Sequence, residues 1–144
     1  MKEQILNAFA MLGFQLTEME GMGYGFQYED INYLFIPNDN DEGFLSIAVP
    51  AMEINEDNAH DALVLADMLN STLKYVKASK LGDGLWLFYE RELLGGEDFE
   101  KLLSRMIIRL EYAMDDFSKA KENIMDEPEN SDEETSPNDT DEAA

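Results

Sequence analysis

The chain contains no cysteine, a single histidine and ten basic residues against 32 acidic ones in 144 positions. Without cysteine there can be no disulfide, no thiolate metal site and no cysteine nucleophile. One histidine, His60, cannot by itself make a catalytic or zinc-binding constellation. No stretch approaches the ~18 consecutive apolar residues that a membrane-spanning helix requires. Residues 1–12 are interrupted by Glu3, Gln4 and Asn7, unlike the unbroken apolar core of a secretory signal, so a cytoplasmic location is expected. The shortage of positive charge leaves a net of −22. Such a field repels phosphate backbones and anionic lipid, which argues against nucleic-acid and membrane partners and favours solubility.

Composition changes at residue 124. Residues 124–144 hold nine acids, no lysine or arginine, no aromatic residue and two prolines. A segment of this kind cannot bury enough apolar surface to offset its ordering entropy, so a disordered acidic tail is expected there. Residues 1–123 form the expected single domain, and with 23 acids against ten bases it keeps a net of −13. A body of about 120 residues is large enough to bury a core without staples.

Within the body, hydrophobic spacing alternates between two periods. Ile5, Leu6, Phe9 and Leu12 repeat at helical spacing and Gly13 is a natural stop. Three short segments rich in aromatic and β-branched residues follow, at 24–28, 31–36 and 44–49. The turns between them, Glu29-Asp30 and residues 37–43, are close enough to imply an antiparallel meander. Asn55 is a suitable N-cap for a second helix with the stripe Ala59, Ala62, Leu63, Ala66 and Leu69. Strands at 73–78 and 85–91 flank Gly82-Asp83-Gly84, a hairpin signal. After Gly95-Gly96, Glu97-Asp98 open a long helix whose stripe is Phe99, Leu102, Leu103, Met106, Leu110, Met114 and Phe117. The predicted fold class is α+β: an antiparallel five-stranded sheet with three helices in the order α-β-β-β-α-β-β-α.

The second half carries a family resemblance. Leu65-Ala66-Asp67-Met68-Leu69-Asn70 is followed by Leu73-Lys74-Tyr75-Val76-Lys77-Ala78, then by Asp83-Gly84-Leu85-Trp86-Leu87 and the helix from Phe99. This succession resembles the YbjN family, proposed bacterial sensory-transduction regulators that share the fold of type III secretion chaperones. The likeness spans residues 60–117, and the first half only by element order. It implies a compact α+β protein that binds protein partners and pairs with itself. The acidic tail does not map onto the family.

Candidate chemistry is sparse. Asn38, Asn40 and Glu42 before Gly43 imitate a calcium loop, but Val49 stands where the closing bidentate glutamate belongs, so a solvated turn is expected and no metal. His60 sits one position off the helix stripe near Asp57, Asp61 and Asp67, as a surface histidine would. Gly21, Gly23 and Gly25 precede a strand, whereas a phosphate cradle follows one, so they read as a flexible lead-in and no cofactor is expected. With no nucleophile–base pair to name, the chain is expected not to be an enzyme.

Two features point to contacts. The segment Leu85-Trp86-Leu87-Phe88-Tyr89 is apolar on both faces, whereas a strand facing water should alternate. This points to a covered second face at Trp86 and Phe88, under a helix, a twin subunit or a client segment, and a central strand between two helical layers accounts for it equally. On the last helix Lys101, Arg105 and Arg109 recur every four residues beside Ile108 and Tyr112. Like charges so spaced repel. Glu97, Asp98, Glu100 or an external acidic group must compensate, intramolecular pairing being the first expectation. The functional expectation is a protein-binding or regulatory module, a homodimer, with a chaperone holding an extended client segment as the alternative. Trp86, Phe88, Lys101, Arg105, Arg109 and Tyr112 are its candidate contact residues.

Overall fold

The computed structural model describes residues 1–126. The element order is α1 (Lys2–Met11), β1 (Thr17–Met19), β2 (Gly23–Tyr28), β3 (Ile31–Ile36), β4 (Phe44–Glu53), α2 (Ala59–Thr72), β5 (Val76–Leu81), β6 (Gly84–Glu92) and α3 (Phe99–Lys121), ending in a π-helical turn at Glu122–Asp126. All neighbouring strands are antiparallel, in the order β1-β2-β3-β4-β6-β5. The class is α+β as the periodicity predicts, with one more strand than expected.

That extra strand comes from the glycine-rich segment, which is a tight hairpin and not a flexible lead-in. The Met22 N–H donates to the Met19 carbonyl at 2.9 Å, and Gly23 has φ +148°. A Cβ on Gly23 would collide with the Phe35 carbonyl oxygen. Glycine is thus required by the close passage of β2 over β3. Three residues, Thr17–Met19, all exposed, gave no periodic signal to read.

Helix α1 ends in a Schellman motif at its expected stop. Gly13, at φ +93°, donates its N–H to the Ala10 carbonyl, and Phe14 donates to the Phe9 carbonyl. The Phe9 and Phe14 rings meet edge-on at 6.1 Å, supplying the hydrophobic contact that accompanies the motif.

Two expected boundaries move for local reasons. Asn55 does not cap α2: its Oδ1 accepts the N–H groups of Asp57 and Asn58, while Asn58 Oδ1 accepts the Asn55 N–H. These reciprocal turns hold residues 55–58 out of the helix, which starts at Ala59. The stripe shifts accordingly. Ala62, Leu65 and Leu69 are buried, and Leu63 is 71% exposed. Tyr75 has φ +70°, so β5 begins at Val76. Helix α3 opens at Glu97-Asp98 as expected, with Asp98 as the cap that accepts the Lys101 N–H. Its helical path runs on to Asp126, and Ile124 and Met125 pack against the core. The remainder of the expected tail lies outside the described residues.

One hydrophobic core forms between the helices and one face of the sheet. Ile5 and Phe9 of α1, Leu65 and Leu69 of α2, and Leu103, Met106 and Leu110 of α3 meet Phe26, Phe35, Ile47, Val49 and Leu87. Along each strand these residues alternate with those of the opposite face, as pleating requires. None of the three helices packs on that opposite face.

Candidate functional site

Strand register lays out the bare face as rows. Gly25, Leu34, Ala48, Phe88 and Lys77 form one row across β2, β3, β4, β6 and β5. Pro50, Trp86 and Ser79 lie in the next row, with Gln27 and Asn32 paired on its β2–β3 side. Small residues at Gly25, Ala48 and Ser79 leave depressions between large ones, so the surface is hollowed and not flat. The Met19 sulfur lies over Gly25, 3.0 Å from where a Cβ would sit, and forms one wall. Pro50 is accommodated in β4 beside a register shift between Pro50 and Met52.

Two adjoining hollows result, sharing Trp86 and Pro50. The first, of ≈ 730 Å³, includes Met19, Met22, Gly25 and Leu34 in its lining. The second, of ≈ 610 Å³, includes Met52, Ile54 and Leu81. The Trp86 ring leans over Gly84, with Nε1 3.1 Å from the position of an added Cβ. Methionines around a tryptophan and a proline give a polarizable, adaptable surface suited to apolar side chains of varied shape.

One end of the face is polar and internally satisfied. Lys77 Nζ pairs with Glu90 at 2.8 Å, Ser46 Oγ donates to Glu90 Oε2 at 3.1 Å, and Lys77 lies 5.9 Å from the Phe88 ring centre. This arrangement explains why Phe88 is only 9% exposed without a covering helix. Trp86, half-buried, has no such cover. Of the coverings expected for the second face of β6, a helix of this chain is not the one present among the described residues.

The basic residues of α3 belong to the other side of the molecule. Lys101, Arg105, Arg109 and Tyr112 are exposed on the helix that covers the opposite sheet face, so the two groups of candidate residues do not converge. The expected intramolecular pairing is absent among the described residues. Glu97 is engaged elsewhere, by the N–H groups of Leu94 and Gly95 and by Arg91 at 3.1 Å, and these contacts, the Leu94 N–H foremost, hold its carboxyl below the usual glutamate range. Asp98 is spent on the helix cap. Arg109 instead stacks on Tyr75, 5.0 Å from the ring centre, and Tyr75 stacks on Tyr89 with rings 7° from parallel.

In the acidic loop, Asn38 Oδ1 accepts the Asn40 N–H and Asp41 Oδ1 accepts the Gly43 N–H, which commits these oxygens to the turn. His60 is exposed. Among the described residues no group of three or more His, Asp and Glu side chains converges as metal ligands would. No described helix is long and apolar enough to cross a membrane.

What the sequence did not disclose is the contribution of Met19, Met22 and Leu34. Their involvement depends on the β1 hairpin folding back and on which strands become neighbours.

No family model matches the sequence, and no curated protein matches it. Solved structures do match in fold. YbjN of Escherichia coli, a proposed transcription regulator, superimposes with TM-score 0.61 at 12% identity over 79% of this chain and 88% of its own. An uncharacterised protein from Methanothermobacter thermautotrophicus gives 0.59 at 12% identity over 85% and 98%. A chain of the heterodimeric ExoU–SpcU complex of the Pseudomonas aeruginosa type III secretion system gives 0.56 at 16% identity over 79% and 94%. The chain therefore has a YbjN-like, type III secretion chaperone-like fold, as the succession of motifs in its second half implied.

Proposed function

We propose that this protein is a non-enzymatic protein-binding module, homodimeric, whose docking surface is the bare sheet face centred on Trp86. The observation that carries this reading is a sheet whose described helices all lie on one side and a half-buried tryptophan between two hollows on the other. Aromatic anchors beside pockets are where binding energy concentrates in protein interfaces. At one end of the face Lys77, Glu90 and Ser46 are already paired with each other, so covering that end strands no unsatisfied charge there. The acidic balance of the chain keeps nucleic acid and anionic membranes from competing for this surface. A cytoplasmic setting and a regulatory role belong to the same reading.

A second reading is favoured by the shape of the surface. Paired hollows on either side of Trp86 suit the successive side chains of an extended segment better than a flat partner. The protein then acts as a chaperone holding a client segment, and the ExoU–SpcU complex shows that this fold occurs in a heterodimeric complex.

Sedimentation at micromolar concentration tests the first reading. Self-association is expected, and Trp86→Asp should weaken it at least about tenfold, an interface loss of ~1.4 kcal/mol or more, with the thermal midpoint little changed. A wild-type chain that stays monomeric overturns the homodimer. If that monomer retains extended apolar peptides and Trp86→Asp does not, the second reading holds.

A further inference from the structure

The ridge on α3 is out of keeping with the rest of the molecule. The positions one turn away from Arg105 are Lys101, Leu102, Ile108 and Arg109, and those one turn away from Arg109 are Arg105, Met106, Tyr112 and Ala113. None is acidic, so the helix offers these guanidinium groups no i,i+4 relief. Among the described residues, the three ion pairs involve Met1, Lys77 and Arg91, and none involves Lys101, Arg105 or Arg109. The Arg109 guanidinium also lies over the Tyr75 ring, which in turn stacks on Tyr89. A guanidinium over an aromatic face still has N–H groups to offer a carboxylate.

An acid-rich segment is attached to the same helix. Beyond Asp126 the chain continues for 18 residues, with Asp139, Asp141 and Glu142 near its end. Measured along the helix axis, Arg109 lies about 26 Å and Lys101 about 38 Å back from Asp126. Extended chain from Asp126 reaches ~43 Å at Asp139 and ~53 Å at Glu142, so the terminal acids span the return distance with slack. The domain as a whole repels the segment. At physiological ionic strength, however, the Debye length is about 8 Å, and the three adjacent cations dominate locally.

We infer that the α3 ridge is the docking site of the chain's own acidic C-terminal segment, with Asp139, Asp141 and Glu142 against Lys101, Arg105 and Arg109. Tethering raises the effective concentration of the segment to the millimolar range, which suffices for a contact built from surface ion pairs. A competing partner at this ridge has to be acidic too, and must displace the segment first. The ridge lies on the opposite side from Trp86, so this inference stands or falls independently of the proposed docking face.

The absence of cysteine permits a direct test in the full chain. A nitroxide on Ser136→Cys is expected to broaden the backbone amide signals of residues 101–112 at low salt. The broadening should disappear near 1 M salt, where the Debye length is about 3 Å. It should also disappear with Asp139→Asn, Asp141→Asn and Glu142→Gln together, changes that leave the domain untouched, and with Lys101→Gln, Arg105→Gln and Arg109→Gln. Added in trans to a chain ending at Asp126, a peptide of residues 127–144 should shift the same amides, and the three neutralising changes should weaken it at least about fivefold. No broadening along the ridge, or broadening indifferent to the tail substitutions, overturns the inference. So does broadening that arises only between spin-labelled and isotope-labelled copies, which would place a second molecule's segment there.

Discussion

At the scale of single residues, two local features of the fold act against its stability. Tyr33 Oη is the one buried side-chain polar atom without a partner among the described residues. An unpaired buried hydroxyl costs about 1–3 kcal/mol, so Tyr33→Phe is expected to raise unfolding stability by ~1 kcal/mol in denaturant titration. Burial first, then the charge of Glu111, pushes the Tyr33 phenol well above its ordinary 10.0. The folded state therefore keeps the proton that the unfolded state begins to release near pH 10. Stability is full below that pH and falls as pH rises above it, and Tyr33→Phe should flatten this alkaline loss. The β2–β3 hairpin is the second feature. Glu29 and Asp30 take φ +53° and +65°, a two-residue turn that prefers Asn-Gly. The pair Glu29→Asn and Asp30→Gly should add about 1 kcal/mol by removing left-handed strain, and an unchanged denaturation midpoint would contradict that account.

At the scale of elements, Asn70 carries more of the architecture than its exposure suggests. Its Oδ1 accepts the Ala78 N–H at 2.7 Å and its Nδ2 donates to the Ala78 carbonyl at 3.1 Å. The side chain thereby pairs with the outer edge of β5 as a further strand would, and α2 closes one margin of the sheet. Asn70→Ala is expected to cost about 1–2 kcal/mol and to speed aggregation, measured by thermal melts and light scattering. What the sequence disclosed follows the same logic. Strong local signals were legible: the stripe of α3 and the aromatic and β-branched runs of β2 and β3 appear where the sequence puts them. Leu63 and the start of α2 were misplaced because Asn55 and Asn58 trade backbone hydrogen bonds in a turn that also looks like a cap. β1 was missed because three exposed residues carry no period. Trp86 and Phe88 were recognised as needing cover, since both faces of β6 are apolar. The hollows around Trp86 were not, because Met19, Leu34 and Pro50 come together only through the sheet order.

At the scale of the whole molecule, the chain presents two unlike surfaces on opposite sides of one sandwich. One is a hollowed sheet face around Trp86 with the Lys77–Glu90 pair at one end, and the other is a cationic helix ridge on an acidic body. The first suits hydrophobic docking and the second suits carboxylates. The claim at the centre is that the sheet face is covered by another protein chain in the assembled state. Trp86 is the chain's only tryptophan and lines both hollows of that face, so its fluorescence reports the claim without labels. Acrylamide quenching of Trp86 should be measured as the protein is diluted through the range in which it dissociates, or as a client peptide is added. The account predicts a shielded, blue-shifted tryptophan in the assembled state and a quenchable, red-shifted one when the chain is alone. Quenching that stays the same while sedimentation shows assembly, or peptide binding, would place the contact elsewhere and contradict it.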